Sequence, residues 1–413
     1  MLFTLIKNEI IKLMNRKKTL VVIIAFILLV GFIGFVTYKE ATNMQKAQKP
    51  ENRIKVQQEN IKYTEQDKKN ASNELKNCKN EVRKKELINE LKDYDNEIKE
   101  YNNRIQEIKE EVKKGKPNWR VTLQNRIKES ESMLKDTSRN ESEKNYINKD
   151  LQKYKYLLQN NIEPQEENYH IRATDFIQGL FKLLGMIFLL FGIIIFASDM
   201  VSGEYTPPTM KFLLTEPVSR GKILFAKFIS VLISSIVLIV GIEIIAFVVF
   251  GLIFKFGDMS YPVQVGTKYV KDLLLSQQNG RTVFKIVAGS TYIIPMWKYI
   301  VNMFLFQTAF IVAAVSFTFL LSTIMKSSMI SMALSIVLAI VFNIFTLMGF
   351  LRGYAHYLFS TFGDPSDILT GEIINRYSNM NMTPGIVIGV LVTWTIICYI
   401  ISHIVFTKKD ILI

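Results

Sequence analysis

Apolar and polar positions divide the chain into three kinds of stretch. Apolar runs occupy residues 19–38, 179–198, 228–254, 299–325, 329–350 and 384–406. Each is long enough to cross a hydrocarbon core of about 30 Å as a helix. Before the first run, Leu2, Leu5, Ile6, Ile10, Leu13 and Met14 recur at helical spacing. Lys7, Lys12, Arg16, Lys17 and Lys18 stand opposite or after them. Residues 1–18 therefore predict an amphipathic helix lying in the membrane interface. The run 19–38 lacks a small-residue cleavage site, so it predicts a retained first span. The basic residues ahead of it place the N-terminus in the cytosol.

The second kind of stretch is the charged block 39–175, which parity then puts outside the cell. Leu87, Leu91, Tyr94, Ile98, Tyr101, Ile105, Ile108 and Val112 alternate steps of four and three, an a/d seam. Ile54, Ile61, Leu75 and Val82 keep a seven-residue period further up, with a phase slip near Lys84. The run 113–118 (Lys-Lys-Gly-Lys-Pro-Asn) predicts a turn. A second helical arm follows, carrying Leu123, Ile127, Leu134, Ile147, Leu151, Tyr154 and Leu158. The expectation is an antiparallel hairpin whose first arm, about 70 residues of helix, would reach about 100 Å. It would be either a structural stalk or a platform for substrate or a second protein. Cys78 falls at a d-like position and is expected to pack in the seam.

Sidedness follows from the loops. Lys211, Arg220, Lys222 and Lys227 after the second run, Lys326 after the fourth, and Lys408 and Lys409 in the tail all fall inside under six crossings. Residues 255–298 stay outside despite six basic residues, because 228–254 is too short for the roughly 40 residues a double crossing needs. Their apolar part, 283–297, is expected at the outer interface, with Trp297 and Tyr299 at headgroup level. Residues 351–383 are expected to hold short surface helices. The fold class is therefore all-α: an integral membrane protein with six transmembrane helices and a large extracellular helical hairpin between spans one and two. The membrane domain covers 176–413.

The third kind of stretch is 199–227, a polar run between two apolar ones. Pro207 and Pro208 can open a helix and Pro217 closes it, leaving Thr209–Glu216 with Met210, Phe212, Leu213 and Leu214 apolar. Such a helix either lies on headgroups or docks on a cytosolic partner. Glu204, Tyr205, Thr209, Lys211, Leu213, Leu214, Pro217, Val218, Ser219, Arg220, Ile223, Leu224 and Lys227 resemble the intracellular loop of type-two ABC exporter permeases. The chain differs from that pattern at Thr206, Pro207 and Pro208.

The resemblance implies a coupling helix seated in a groove of an ABC ATPase. Glu204, Tyr205, Thr209, Lys211, Phe212, Leu213, Leu214, Pro217, Arg220 and Lys227 would form the coupling site. Lys211, Arg220 and Lys227 would meet acidic groups of the ATPase or lipid headgroups, and Glu204 would hold the loop. Two ATPase copies and either a second copy of this chain or a sister permease would complete the complex. ATP and Mg would sit on the ATPase and no cofactor in this chain. The implied cargo is a peptide, a lipid or another amphiphile, which includes a role in resistance to antimicrobial peptides. The alternatives are a permease that transmits force to wall or outer-leaflet events without transport, and a membrane anchor for a stalk-binding partner.

Composition agrees. The 413 residues carry a net charge of +14, yet the central block is nearly balanced, so no nucleic-acid partner is implied. Lys outnumbers Arg and Ile and Asn are abundant, which fits an AT-rich bacterial genome and a bacterial plasma-membrane protein with both termini cytosolic. Cys78 and Cys398 lie in dissimilar segments, which argues against a bridge. There is no phosphate-binding loop, nucleophile elbow or zinc-protease helix, and the three histidines are far apart. The chain is not expected to be an enzyme or to hold a metal. Glu243 is the one acid well inside a span. It either lines a substrate path or a proton-linked site, or is a structural pair or a neutral carboxyl hydrogen-bonded to a neighbour. Asn302, Gln307 and Asn343 are expected to bond between helices, and Ser230, Ser234 and Ser235 to allow close packing.

Overall fold

The computed structural model describes residues 2–115, 118–165, 172–205, 218–280 and 282–408. Two compact units result. One comprises Met1–Phe35, Ser130–Leu157 and Arg172–Ile413; the other comprises Val36–Glu129 and Leu158–Ile171.

The larger unit is built on apolar helices. Among the described residues, five helices are long and apolar enough to cross a membrane: α2 (Lys17–Gln48), α9 (Arg220–Phe254), α11 (Met296–Ile324), α12 (Ser328–Leu347) and α15 (Pro384–Lys408). A further helical run corresponds to the predicted second span. It consists of α7 (Ala173–Leu183), a π segment (Leu184–Phe188) and α8 (Leu189–Ala197). The π segment sits where two backbones meet. A Cβ on Gly185 would lie 2.0 Å from the Gly363 carbonyl oxygen, and a Cβ on Gly363 equally close to that of Gly185. No other residue permits this approach. Phe176, Ile177, Leu180, Phe181, Ile193 and Ile194 bury one face of the run.

The core of this unit is α11. Ala313, Ala314, Ser316, Thr318 and Ser322 are fully buried. Small side chains let neighbouring helix backbones approach, which is what drives packing between helices in lipid. The hydroxyls of Ser316 and Thr318 bond back to Val312 O and Ala314 O, so they do not stay unpaired in an apolar setting. Phe319 meets Phe228 of α9 at 5.2 Å between ring centroids, edge-on.

The chain is mostly helical, and the segment 255–298 adds short strands that the apolar pattern did not predict. It forms four strands, β1 (Pro262–Val265), β2 (Tyr269–Asp272), β3 (Val283–Ile286) and β4 (Tyr292–Pro295), with the short helix α10 (Leu273–Asn279) between β2 and β3. β1 pairs antiparallel with β4, and β2 with β3. The β-branched and aromatic residues of these runs satisfy their backbones against a partner strand. Asn145 of α6 (Glu141–Gln159) donates to Ile286 O at 2.8 Å.

In the smaller unit the hairpin turns elsewhere than expected. α3 (Pro50–Asn77) and α4 (Glu81–Lys114) pack side by side. Arg53 pairs with Glu111, Lys68 with Asp95 and Arg83 with Glu74, at 2.9, 2.5 and 3.0 Å, so the two run antiparallel. The chain reverses at Cys78–Asn80, where the Asn80 side chain caps α4 by accepting from Val82 N and Arg83 N. The phase slip in the heptads marks this reversal. Cys78 is therefore a half-exposed turn residue and not part of the seam, and both cysteines are free. Leu87, Ile105 and Ile108 of the seam are buried. The run 113–118 does end a helix, at Gly115 with φ +69°. The expected single second arm is two helices, α5 (Trp119–Lys135) and α6. Asn140 starts α6 by accepting from Glu143 N at 2.8 Å.

Residues 351–383 hold short helices, among them α13 (Pro365–Thr370) and α14 (Ile373–Tyr377), but these are not merely surface features. Phe359, Phe362, Ile368 and Ile373 are buried. Asp364 caps α13 through Ser366 N at 3.0 Å, and Arg376 binds Asp364 and Asp367 at 3.3 and 2.5 Å. Burial, then the Asp364 charge, push the Asp367 carboxyl up to about 6, against the pull of Arg376 and Lys182. Its folded value lies above the ordinary value of about 3.9, so its proton stabilises the fold below that value and the benefit is lost as pH rises through about 6. Protection factors of residues 365–377, with the intrinsic base-catalysed exchange rate divided out, should be lower at about pH 7.5 than at about pH 5, and Asp367→Asn should remove most of that difference.

Candidate functional site

The stretch singled out by sequence, 199–227, begins and ends in the described structure. Thr209, Lys211, Phe212, Leu213, Leu214 and Pro217 lie outside the described residues, so the coupling helix Thr209–Glu216 does too. The two stems are described: Asp199–Tyr205 after α8, and Val218 onward into α9.

The upstream stem is a 3-10 turn, Ser202–Tyr205, held by α11. Ser322 Oγ accepts from Val201 N and Ser202 N, both at 3.0 Å. This fixes Glu204, which points inward and is 1 % exposed. Its Oε1 accepts from Lys227 Nζ at 2.8 Å and from Lys12 Nζ at 2.6 Å. Lys227, on α9, is itself buried and also donates to Glu9 Oε2 at 2.9 Å. Around this pair, Arg16 and Lys18 reach Asp199 at 3.4 and 3.1 Å. Burial pushes the neighbouring Tyr205 hydroxyl above its ordinary value.

Glu9, Lys12 and Arg16 come from the N-terminal helix α1 (Leu2–Met14) and the residues just after it. The helix turns one face to this cluster and packs along α9, where Ser230 Oγ donates to Ile6 O at 3.0 Å. It is thus clamped to both stems of the loop, beyond the interfacial seat expected from its amphipathic pattern. The spacing of Glu9, Lys12 and Arg16, at i, i+3 and i+7, places them on one helix face. That was the available signal, but the pattern alone does not say which acids and bases face them. Asp199 and Ser322 carried no sequence signal of their own.

Lys227 corrects one assignment. Buried between two carboxylates, it holds the stem internally and does not face a partner or headgroups. Arg220 opens α9, half-buried. The intramembrane candidates divide. Glu243 of α9 is fully buried, and its Oε1 accepts from Gln307 Nε2 of α11 at 2.8 Å. Glu243 Oε2 and Gln307 Oε1 have no hydrogen-bond partner among the described residues. Asn343 donates to Ala339 O of its own helix and bonds no other helix among the described residues, and Asn302 is half-buried. Ser234 and Ser235 are buried in close packing.

Long apolar helices around a core of small residues, with a charged cluster at one end of the bundle, define a multi-pass membrane protein of the permease kind. The chain belongs to the ABC-2 family of transporter proteins, described as "ABC-2 family transporter protein", whose family model matches residues 3–411. Comparison with curated proteins gives no match. Permeases of this family are membrane components, not themselves enzymes, and pair with an ATPase subunit.

A buried ion pair is costly to break from one side, because the remaining charge stays uncompensated. Lys227→Met should destabilise the chain by about 3 kcal/mol, the low end of that range because Lys12 still serves Glu204. Thermal melting of the detergent-purified protein would read it. The double variant Lys227→Met/Glu204→Gln should lose less than the sum of the two single losses.

Proposed function

We propose that this chain is the permease half of an ATP-driven exporter, moved by a separate cytosolic ATPase that grips residues 209–216. The observation that carries the reading is the cluster around Glu204 and Lys227. A set of ion pairs around the buried Glu204–Lys227 pair joins both stems of the gripped segment to α1 and thereby to the start of α2. A push on the segment cannot be absorbed by bending its stems. It passes to α8 and α11 through the 3-10 turn, to α9 through Lys227, and to α2 through Arg16 and Lys18.

On this reading the spans are six, with the π-interrupted run 173–197 as the second. The basic residues of 211–227, Lys326 and the tail lie in the cytosol with both termini. The charged unit and the strand-bearing segment lie outside a bacterial plasma membrane. Two copies, or one and a sister permease, complete the complex, and the cargo is a peptide, lipid or other amphiphile. Phe212 and Leu213 supply the apolar knob for the ATPase groove. Changing both to Asp should abolish co-purification of the ATPase while leaving the permease folded. Undiminished co-purification would overturn the docking assignment.

A second reading, force transmission to wall or outer-leaflet events without transport, is favoured by the charged helices forming a compact unit of their own. Deletion of 50–114 with a short linker separates the two. Export by the reconstituted complex should survive if the unit is accessory. Intact ATPase turnover with loss of only an outside phenotype would select force transmission.

A further inference from the structure

We propose that the groove between α2, α8 and α9 binds one alkyl chain of an anionic phospholipid, with its phosphate at the Lys18 end. The groove is a slot of about 240 Å³. Val22, Phe26 and Leu29 of α2, Phe191 and Gly192 of α8 and Leu238 of α9 form much of its wall, and Ser235 is the one polar side chain lining it. All three helices are apolar over this stretch, and α2 and α9 have the hydropathy of membrane spans. The occupant is therefore drawn from the bilayer and not from water. The slot suits a single chain. Its floor is open at Gly192, where an added Cβ would meet nothing within 4 Å.

The second observation is charge. Lys18, Val22, Ala25 and Leu29 follow one another at steps of four, three and four, a single stripe of α2. Lys18 thus stands about 6 Å beyond the end of the apolar wall. Opposite it, Phe196 of the groove is three residues before Asp199. The slot opens toward the ion cluster described above. There, Lys12, Arg16, Lys18 and Lys227 face Glu9, Asp199 and Glu204, so positive charge is in excess. Lys17 beside them is exposed and makes no ion pair among the described residues. A phosphate diester bearing a net negative charge gains from that surplus; a zwitterionic headgroup gains far less. Which leaflet supplies the lipid rests on the topology proposed above, whereas the binding itself does not.

The test uses the full-length chain without ATPase, in nanodiscs of equal phosphatidylglycerol and phosphatidylcholine, extracted into mild detergent. Native mass spectrometry then counts retained lipid. Wild type should keep phosphatidylglycerol in clear preference to phosphatidylcholine. Gly192→Leu fills the slot and should lower retention about tenfold, the burial of a few methylenes. Lys17→Gln/Lys18→Gln should keep retention but shift the retained ratio toward that of the disc. Unchanged retention in Gly192→Leu overturns the proposal. So does wild type retaining both lipids in disc proportion, a readout that stands even if the leucine variant fails to fold. Because no ATPase is present, failure here leaves the exporter reading intact, and loss of ATPase docking in the Phe212/Leu213 variant leaves lipid retention unchanged.

Discussion

A lysine ammonium enclosed by helices has to be neutralised where it stands. Lys227 is that group, and most of the organisation at its end of the bundle follows from it. Burying an ammonium unpaired costs several kcal/mol, so carboxylates must be brought to it. Glu204 arrives from the turn after α8, and Glu9 arrives from the N-terminal helix. Once these three meet, α1 is tied down, α2 starts from a fixed point, and both stems of the loop 206–217 share one anchor. The pair itself need not add much net stability. Its consequence is geometric: elements that would otherwise move independently are joined through charges that cannot be separated cheaply.

Between the helices a different rule holds. Apolar surface alone does not favour helix contact over lipid contact, so packing depends on how closely backbones approach. The small residues of α11 and the Gly185–Gly363 contact serve this purpose. The Gly185 contact falls in the π segment, where the run 173–197 departs from regular geometry. Several polar groups inside the bundle find local partners, through hydroxyls bonding back one turn or through the Glu243–Gln307 pair. Where a side chain is absent, at Gly192, the same packing leaves a slot.

Much of this was legible from residue order. The six apolar runs, the amphipathic lead-in and the heptad seam of 87–108 all fall on helices, with boundaries that differ by up to about three turns, as where the run 19–38 lies in the helix Lys17–Gln48. These signals are local: each depends on periodicity or length within one segment. The failures were also of one kind. The strands of 262–295 were hidden because β-branched and aromatic runs look alike whether they face lipid or a partner strand. The reversal at Cys78–Asn80 was hidden because a three-residue break only shifts the heptad phase, and Asn80 acts as a cap only once the chain turns there.

The same division applies to the site. Residue order displayed the apolar runs and a loop whose resemblance implied a permease, and that resemblance named Glu204 and Lys227 within it. Hydropathy, proline placement and a short motif are properties of contiguous sequence. Only the tertiary structure decided that Lys227 turns inward onto Glu9 and Glu204, that Lys12 and Arg16 meet Glu204 and Asp199, and that Ser322 holds the turn from more than a hundred residues away. Charges pair across space according to which helix faces meet, and that depends on the packing of every span at once.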